Sequence, residues 1–439
     1  MNESKVKSNG WALLPILVFL VLFLGTGIIL NDFYTMPAVV GFLIALIVAF
    51  LQTKGKTFNE KLSIAAKGIG DDNIITMCLI FLAAGAFSGS ITAAGGADST
   101  VNLGLSLMPP GIAVIGLFVI GCFISISMGT SVGTITALTP IAVGIAEKTG
   151  FGMAICVGAV VSGAMFGDNL SMISDTTIAA VRTQGCEMKD KFRKNFFIVL
   201  PAALVTVAIL FFMTRGAEFR MDQNLQYNIW QVVPYLFVLV TALIGINVFV
   251  VLISGTVLSV IVGIATGSLP AAEVFTAIGS GVTSMYDITI ISILVAATSA
   301  LVKENGGFAF ILEKIHNRIH TYKGAEVGIA ALVSVVDAAT ANNTVAIVIS
   351  GPIAKEISDD YGIEATRSAS LLDIFASVLQ GVIPYGAQLL TAASLAGLTS
   401  FDIIPYLFYP YLMAVCGIIS IIISKKKNIK KARRSITLS

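Results

Sequence analysis

Long apolar runs, separated by short polar segments, extend along almost the whole chain. A helix needs roughly 17 to 25 mostly apolar residues to cross the hydrocarbon core of a bilayer. The clearest runs that reach or approach this length cover residues 11–30, 36–51, 112–127, 196–213 and 403–424. The pattern predicts an all-α polytopic membrane protein with about ten to fourteen membrane segments.

The composition agrees with a chain that is solvated by lipid. Apolar residues make up 56% of the 439 positions and charged residues 12%, with a mean hydropathy of +0.92, whereas soluble domains carry charge on roughly a quarter of their residues. The first apolar run follows Lys5 and Lys7 as in a signal peptide, but no small-residue cleavage site is clear, which favours a retained helix. The five cysteines are scattered and indicate neither a disulfide framework nor a metal cluster.

The formal net charge is only +2, but basic residues are concentrated in the C-terminal tail, residues 425–439. They are Lys425, Lys426, Lys427, Lys430, Lys431, Arg433 and Arg434. A run of this kind holds its end in the cytoplasm and contacts anionic lipid headgroups, so the expected partner is the bilayer and not nucleic acid. We expect an integral protein of a prokaryotic inner or plasma membrane with a cytoplasmic C-terminus.

Glycine and proline markers recur along the chain at a nearly constant spacing of 211 or 212 residues. The matching pairs are Gly68-Ile69-Gly70 with Gly279-Ser280-Gly281, Gly95-Gly96 with Gly306-Gly307, and Pro140-Ile141-Ala142 with Pro352-Ile353-Ala354. Chance coincidence in a Gly-rich chain is the alternative, but three markers at one shift favour a duplication. We predict a first repeat over residues 1–215 and a second over 216–439, which carries the basic tail.

The basic loops indicate how the two repeats lie in the membrane, because Lys and Arg in short loops stay on the cytoplasmic side. Segments 54–67, 182–194 and 303–323 are basic, whereas 95–110 and 267–284 are poor in basic residues. The basic third loop is the repeat partner of 95–110, so equivalent loops fall on opposite sides. Inverted repeats of this kind are common in secondary transporters, where ions and substrate bind near the midplane.

A small and hydroxylated stretch interrupts the apolar pattern of the first repeat. It reads Gly129-Thr130-Ser131-Val-Gly133-Thr134, at a depth where backbone leaves the helix only inside protein or beside a water-filled cavity. Helix packing through Gly129 and Gly133 explains this stretch alone equally well. The alternative to packing is the tip of a re-entrant hairpin that binds ions through Thr130, Ser131 and Thr134.

The second repeat favours the hairpin, because the shift of 212 places Asn342 and Asn343 on Thr130 and Ser131. Thr344 follows them, and Asp337 precedes them in the same apolar span. Adjacent asparagines in a span are costly unless their amides are satisfied, and a cation or free backbone groups would satisfy them. We therefore expect a second ion- or substrate-binding tip at these four residues.

A second pair of interruptions lies at residues 166–177 and 380–388. The first contains Asp168, Asn169, Ser174, Asp175 and Thr176 between apolar flanks, and the second has the helix breakers without an acid. Na⁺ is a hard cation that prefers carboxylate, hydroxyl, amide and carbonyl oxygens, so Asp168, Ser174 and Asp175 are the predicted Na⁺ ligands. The alternative is that these residues are ordinary helix caps in a loop.

Asp337 and Asp373 are the other acids embedded in apolar surroundings. An ionisable group in a membrane span costs roughly 2.5–3.5 kcal/mol on insertion scales, so each is a functional hypothesis by default. Burial favours the neutral form of a carboxyl group, and such a group can exchange a proton for a sodium ion. Both residues join the predicted ion- and substrate-binding set.

The two segments Gly129–Thr134 and Gly167–Thr177 resemble signature segments of the NhaC-type Na⁺/H⁺ antiporter family, and the resemblance runs through nearly the whole chain. The Gly-Asp and Ser-Asp-Thr-Thr elements of the second segment are kept, while Asn169 and Met172 replace a basic residue and a proline. The family is similar to the wider ion-transporter superfamily. That similarity implies re-entrant hairpins, interrupted helices, and by analogy a homodimer.

The resemblance and the buried acids together favour Na⁺/H⁺ exchange, with Asp168 or Asp175 binding either ion in turn. The alternative is a Na⁺-coupled symporter or exchanger of a small organic solute, an amino acid or a dicarboxylate. The absence of an arginine from the predicted spans tilts the choice toward the antiporter. An enzyme is not expected, because no nucleophile set or His-Glu-xx-His motif occurs, and Na⁺ and H⁺ are expected as transported ions with no other cofactor.

Overall fold

The computed structural model describes residues 7–30, 36–107, 110–172, 174–215, 226–244, 246–316 and 319–425, and these ranges are helical with short turns and without a β-strand. The helices of the first half are α1 (Leu14–Leu30), α2 (Ala38–Gln52), α3 (Phe58–Ile69), α4 (Asp72–Ala93), α5 (Gly96–Leu107), α6 (Pro110–Met128), α7 (Ser131–Thr149), α8 (Met153–Leu170), α9 (Asp175–Gln184) and α10 (Met188–Thr214). Those of the second half are α11 (Ile229–Leu243), α12 (Val248–Thr266), α13 (Val274–Ser284), α14 (Tyr286–Glu304), α15 (Gly307–His316), α16 (Tyr322–Thr340), α17 (Asn343–Tyr361), α18 (Ala365–Gln380), α19 (Ala387–Ala396), α20 (Ser400–Ile403) and α21 (Phe408–Ile422).

Within the described ranges, five helical stretches are long and apolar enough to cross a membrane, or up to seven if each of two sharply bent pairs is one span. The bent pairs turn by 117° between α5 and α6 and by 98° after α19, and four shorter apolar helices accompany them. Large apolar side chains such as Phe212 and Val257 are exposed, as expected of a surface that faces lipid. The predicted all-α membrane class is confirmed, and the count of ten to fourteen segments stays a prediction.

The second half of the chain repeats the helix boundaries of the first. Adding 212 to the bounds of α6, α7 and α9 gives those of α16, α17 and α19. Among the described residues, positive φ angles occur in pairs at the same shift, or one residue less: Gly55 and Gly267, Gly95 and Gly306, Gly129 and Ala341, Gly150 and Gly362, Gly185 and Gly397. Packing repeats as well, since α9 packs on α17 and α19 packs on α7.

These coincidences are what a duplicated chain produces, while the division at residues 215 and 216 stays a prediction. The opposite orientation of the two halves in the membrane stays a prediction. The junction itself and most of the basic tail, residues 216–225 and 426–439, lie outside the described residues. The prediction that segments 95–110 and 303–323 lie on opposite sides of the membrane also stays a prediction.

The helices pack as two groups. In the first group, α4 packs on α12 and α13, and α14 packs on α2 and α3. The closest approach joins Gly85 and Gly281, where a Cβ on Gly281 would lie 2.0 Å from the carbonyl oxygen of Gly85. In the second group, α6, α7 and α8 pack together, as do α16, α17 and α18. Helix α8 is buried from Ile155 to Leu170, so it lies at the centre of the second group.

Both predicted hairpin tips are helix breaks with the same geometry. After α6, Gly129 has φ +68°, and the extended Thr130 (φ −150°) accepts the Gly133 N–H through its side chain, which caps α7. After α16, Ala341 has φ +48°, and the extended Asn342 (φ −150°) caps α17 by accepting the Val345 N–H. The left-handed position is a glycine in one tip and an alanine in the other, so the second tip is the strained one.

This difference predicts opposite effects of two matched substitutions. Gly129→Ala should lower the free energy of unfolding by about 1–2 kcal/mol, because a Cβ is unfavourable at positive φ. Ala341→Gly should raise it by up to about 1 kcal/mol, since strain is relieved while glycine adds entropy to the unfolded chain. Denaturation in detergent measures both. A stabilising Gly129→Ala or a destabilising Ala341→Gly would show that the tip conformations differ from those described.

Candidate functional site

The candidate site lies where α8 ends and α9 begins, in the centre of the second helix group. Asp168 is in the last turn of α8 and its side chain is only 4% exposed. Ser171 and Ser174, in the short segment before α9, are buried beside it. The chain leaves the helix here as the run of small and polar residues predicted.

Both oxygens of Asp168 accept hydrogen bonds from hydroxyl groups of different elements. The Ser131 Oγ, in the first turn of α7, donates to Oδ2 at 3.0 Å. The Ser174 Oγ, which precedes α9, donates to Oδ1 at 2.6 Å and lies 2.8 Å from the Thr176 Oγ1. One carboxylate and three hydroxyl oxygens therefore converge at the ends of three helices, a set that suits a hard cation such as Na⁺.

This oxygen cluster continues into the second half of the chain. The Gln388 Nε2 donates to the Ser131 Oγ at 3.0 Å, and the Gln380 Nε2 donates to the Gln388 Oε1 at 2.6 Å. Gln380 also reaches the carbonyl oxygen of Ala341 at 3.2 Å. A continuous hydrogen-bonded chain thus joins Asp168 and the first tip to the second tip.

Beside this cluster lies a buried ion pair between Lys191 of α10 and Asp373 of α18, with side chains 1% and 0% exposed. The Lys191 Nζ also donates to the Asn169 carbonyl oxygen at 3.0 Å and to the Thr177 Oγ1 at 2.7 Å. The same Asp373 Oδ2 accepts from the Asn169 Nδ2 and the Asn195 Nδ2, both at 3.0 Å. All three N–H donors of the Lys191 ammonium group therefore have acceptors, and one of these acceptors belongs to Asn169, the residue after Asp168.

Sequence reasoning missed Lys191 and Asn195 as members of the site, and it named Gln380 and Gln388 only as part of the interruption at residues 380–388. It placed Lys191 in a solvated basic loop, which is wrong because the side chain is buried within α10. A signal for it existed, since Lys191 and Asn195 are four residues apart and share one helix face. Asp373, an isolated acid in an apolar helix, was a second signal, because a buried carboxylate is commonly paired with a cation.

The structure brings only part of the predicted ion-binding set together. Asp168, Ser131, Ser174 and Thr176 meet, whereas Asp175 is exposed at the start of α9 and lies outside their hydrogen-bonded cluster. Thr134 is buried and donates to the Thr130 carbonyl oxygen of its own helix at 2.9 Å.

Of the predicted residues of the second half, Asn342, Asn343 and Thr344 form the second tip. The Asn343 Oδ1 accepts the Thr344 N–H at 3.0 Å, while its buried Nδ2 has no acceptor among the described residues. Asp337, one turn before the end of α16, is fully buried. Asp373 is drawn into the Lys191 ion pair, away from this tip.

One buried arginine lies at the start of α18, which is not among the candidate membrane spans of the described residues. Arg367, in the first turn of α18, is 5% exposed, and its Nε donates to the Glu326 Oε1 of α16 at 2.7 Å. Its Nη1 donates to the Ser420 Oγ at 3.0 Å. Arg367 is thus paired within the protein and is separate from the hydrogen-bonded cluster of Asp168.

Two cavities approach the second tip from different ends of the first helix group. One, of about 500 Å³, is lined by Lys67 and Lys303 and reaches Thr340 and Asn342. The other, of about 350 Å³, is lined by Asp287, Pro384 and Thr399. A narrow space of about 10 Å³ lies between them, lined by Asn342 and Tyr385 and bordered by Ile291 and Leu390, which also line the second cavity. The larger cavity and the narrow space therefore both reach the second tip, whereas Asp168 lines none of these three spaces.

Comparison with known proteins decides the family. The model of the Na⁺/H⁺ antiporter family matches residues 4–215 and 225–424. The chain belongs to the Na⁺/H⁺ antiporter family. The resemblance to NhaC-type antiporters is thereby confirmed, and this family member is an integral membrane transporter of the cation-coupled antiporter class.

Three known proteins are similar to this chain over most of its length. It is 25% identical to the Na⁺/H⁺ antiporter NhaC of Bacillus subtilis (strain 168), over 80% of this chain and 83% of the relative. It is 23% identical to the malate-2H⁺/Na⁺-lactate antiporter of the same organism, over 93% and 94%. It is 24% identical to the arginine/ornithine antiporter ArcD of Halobacterium salinarum, over 95% and 93%.

Among the described residues, no three His, Cys, Asp or Glu side chains come together as ligands for a transition metal. The donors that this family member offers around Asp168 are hydroxyl and carboxylate oxygens. The N-termini of α7 and α9 both lie at this cluster, and the partial positive charge of a helix N-terminus stabilises a nearby anion. The site is thus a buried carboxylate that lies between hydroxyl groups and two helix N-termini.

The buried ion pair predicts a large stability effect. Lys191→Met should lower the free energy of unfolding by about 3–5 kcal/mol, because it leaves the Asp373 charge buried and unpaired. Lys191→Met combined with Asp373→Leu should recover most of the loss. The matched control is Lys194→Met, which removes a half-exposed pair with Glu364 (3.2 Å) and should cost less than about 1 kcal/mol. Thermal unfolding in detergent measures all three, and equal losses for Lys191 and Lys194 would contradict this assignment.

Proposed function

We propose that this protein exchanges Na⁺ for H⁺ at Asp168. The observation that carries the proposal is a fully enclosed carboxylate whose two oxygens each accept a hydroxyl hydrogen bond at the ends of interrupted helices. Family membership supports the same reading. Na⁺ and H⁺ are the transported ions, and no other cofactor is required by these donors.

The exchange follows from the electrostatics of a buried carboxylate. An uncompensated charge in this dry environment is costly, so Asp168 needs either a proton or a cation. When Na⁺ enters, the hydroxyl groups of Ser131 and Ser174 turn their oxygen lone pairs toward the ion, and the Thr176 hydroxyl completes the set. When Na⁺ leaves, a proton neutralises the carboxylate and the hydrogen bonds close again. The two ions thus compete for one position, which makes the exchange obligatory.

A second candidate is the exchange of a small organic solute, an amino acid or a dicarboxylate. The relatives named as malate/lactate and arginine/ornithine antiporters favour it. The cavity of about 500 Å³ has room for such a solute, and Lys67, Lys303 and Asn342 offer charged and amide donors along its wall. In this reading Asp168 still holds the coupling cation, and the second tip contacts the solute.

We further propose a position in a bacterial plasma membrane with the C-terminus in the cytoplasm. The basic segments 54–67 and 303–323 support this orientation, since both contribute to one end of the larger cavity. At that end Lys56 pairs with Glu304 at 2.9 Å, and this partner raises the pKa of Lys56. A homodimer is part of the proposal by analogy with the superfamily.

Substitution of the central acid tests the proposed site. Asp168→Asn should abolish Na⁺-dependent proton movement in proteoliposomes, because the amide can neither bind a proton nor neutralise Na⁺. Asp175→Asn is the matched control, since Asp175 is exposed beside the site, and it should retain exchange. The readout is the collapse of an imposed pH gradient on addition of Na⁺, without organic solute. Collapse that occurs only with a solute would support the second candidate instead.

The hydroxyl ligands predict a graded effect on affinity. Ser131→Ala should raise the Na⁺ concentration for half-maximal exchange about tenfold, because one ligand of the charged site is lost. Thr134→Val should change it little, since that hydroxyl bonds only within its own helix. The Na⁺ dependence of the exchange rate measures both. Equal shifts for the two variants would show that the tip acts by packing alone.

A further inference from the structure

The ammonium group of Lys191 lies at a point where the oxygens of a cation site meet. Its Nζ donates to the Asn169 carbonyl oxygen at 3.0 Å and to the Thr177 Oγ1 at 2.7 Å. Its third acceptor is the Asp373 Oδ2. A backbone carbonyl, a hydroxyl and a carboxylate are the oxygen types that hold hard cations such as Na⁺. The ammonium group is thus enclosed by the ligands that a sodium ion would take.

These acceptors come from three helices and not from one partner helix. Asn169 is in the last turn of α8, where the final carbonyl oxygens have no partner within the helix. Thr177 is in the first turn of α9, and Asp373 is in the middle of α18. A salt bridge that only joined α10 to α18 would need neither of the first two contacts. The arrangement is that of an ion site at a helix break, with an ammonium group in the place of the ion.

Two of the contacts bracket the segment that carries the proposed Na⁺ ligands. Asn169 directly follows Asp168, and Thr177 directly follows Thr176. Between these ends lies Ser174, which donates to the Asp168 Oδ1 at 2.6 Å. The ammonium group therefore holds both ends of this segment by contacts that do not involve a cation at Asp168. This makes the lysine a positioning residue for the neighbouring site.

The carboxylate of this cage is oriented by further side chains. The Asp373 Oδ2 accepts from the Asn169 Nδ2 and from the Asn195 Nδ2, both at 3.0 Å. The Asp373 Oδ1 is buried without a hydrogen bond among the described residues, and the Thr176 side chain lies nearby. One oxygen of the cage is thus not used by the ammonium group, and a free cation can approach both oxygens of the carboxylate.

We propose that the Lys191 ammonium group permanently occupies a second cation site, and that shortening this side chain turns the place into a Na⁺ site. The lysine side chain beyond its Cβ fills enough space for the ion and a water molecule, whose share of liquid volume is about 30 Å³. Lys189 and Asp190, just before it in α10, are exposed and charged, so water reaches the start of this helix. The inference goes beyond the proposed exchange, because Asp168 exchanges its cation whereas Lys191 keeps the neighbouring place filled.

Thermal unfolding in detergent, in NaCl and in KCl of equal concentration, tests this second site. Asp168→Asn removes the proposed exchange site and should melt at the same temperature in both salts. Asp168→Asn combined with Lys191→Ala should melt at least about 5 °C higher in NaCl than in KCl, because Na⁺ replaces the ammonium group. Asp168→Asn combined with Lys191→Met is the matched control. Its long apolar side chain fills the same space, so the two salts should give equal melting temperatures.

Two further variants connect the effect to the cage. Addition of Asp373→Asn to the Asp168→Asn and Lys191→Ala pair should abolish the difference between the salts, because the carboxylate ligand is lost. Lys191→Ser, which adds a hydroxyl oxygen at the same place, replaces Lys191→Ala if the alanine variant does not fold. No difference between the salts in the folded variant, or an equal difference in Lys191→Met, would overturn the inference. Failure of both shortened variants to fold in NaCl would overturn it too, since Na⁺ should replace the ammonium group.

Failure of the proposed exchange gives a different result. If Asp168→Asn alone keeps the NaCl effect of the wild-type protein, Asp168 is not the Na⁺ site and the proposed function is wrong at that residue. The additional effect of Lys191→Ala in the same background is read separately. A larger NaCl effect in the double variant supports the second site, and an unchanged one overturns it.

Discussion

A charged oxygen inside a membrane protein must be met by donors or by a cation, and this requirement organises the whole second helix group. Asp168 meets it at the end of α8, where two helix N-termini and two hydroxyl groups converge. Helices must stop there, because only free helix ends and short side chains can approach one point so closely. The breaks in α6–α7 and α8–α9 are therefore conditions for the site and not defects in the helices.

The two halves share a backbone but differ in the chemistry they place on it. At a shift of 212, Ser131 corresponds to Asn343, and Asp168 corresponds to Gln380. The position that carries the Asp168 carboxylate in the first half thus carries an amide in the second half. Gln388 connects these two side chains through Ser131. The two halves thus share the geometry of the tips, while the carboxylate of the proposed cation site belongs to the first half.

Much of this architecture could be predicted from sequence, because membrane solvation constrains it strongly. Apolar runs predicted the helical class, and clusters of small and polar residues predicted the tips at Gly129 and Asn342 and the break after Asp168. Local patterns did not predict which distant residues would meet. Lys191 and Asp373 are 182 positions apart. From the sequence alone, a buried lysine near a helix start looks the same as one that is exposed to solvent. Asp175 shows the converse, since an acid next to the site is exposed.

The hydrogen bond between Gln388 and Ser131 also bears on how such a chain arose. In a dimer of two identical first halves, the residue facing Ser131 would be Thr176, the counterpart of Gln388. Threonine is too short to span the same gap and to reach a further amide. The link from one half to the other therefore depends on a difference in side chains between the two halves. A single chain that contains both halves keeps Gln388 of the second half beside Ser131 of the first.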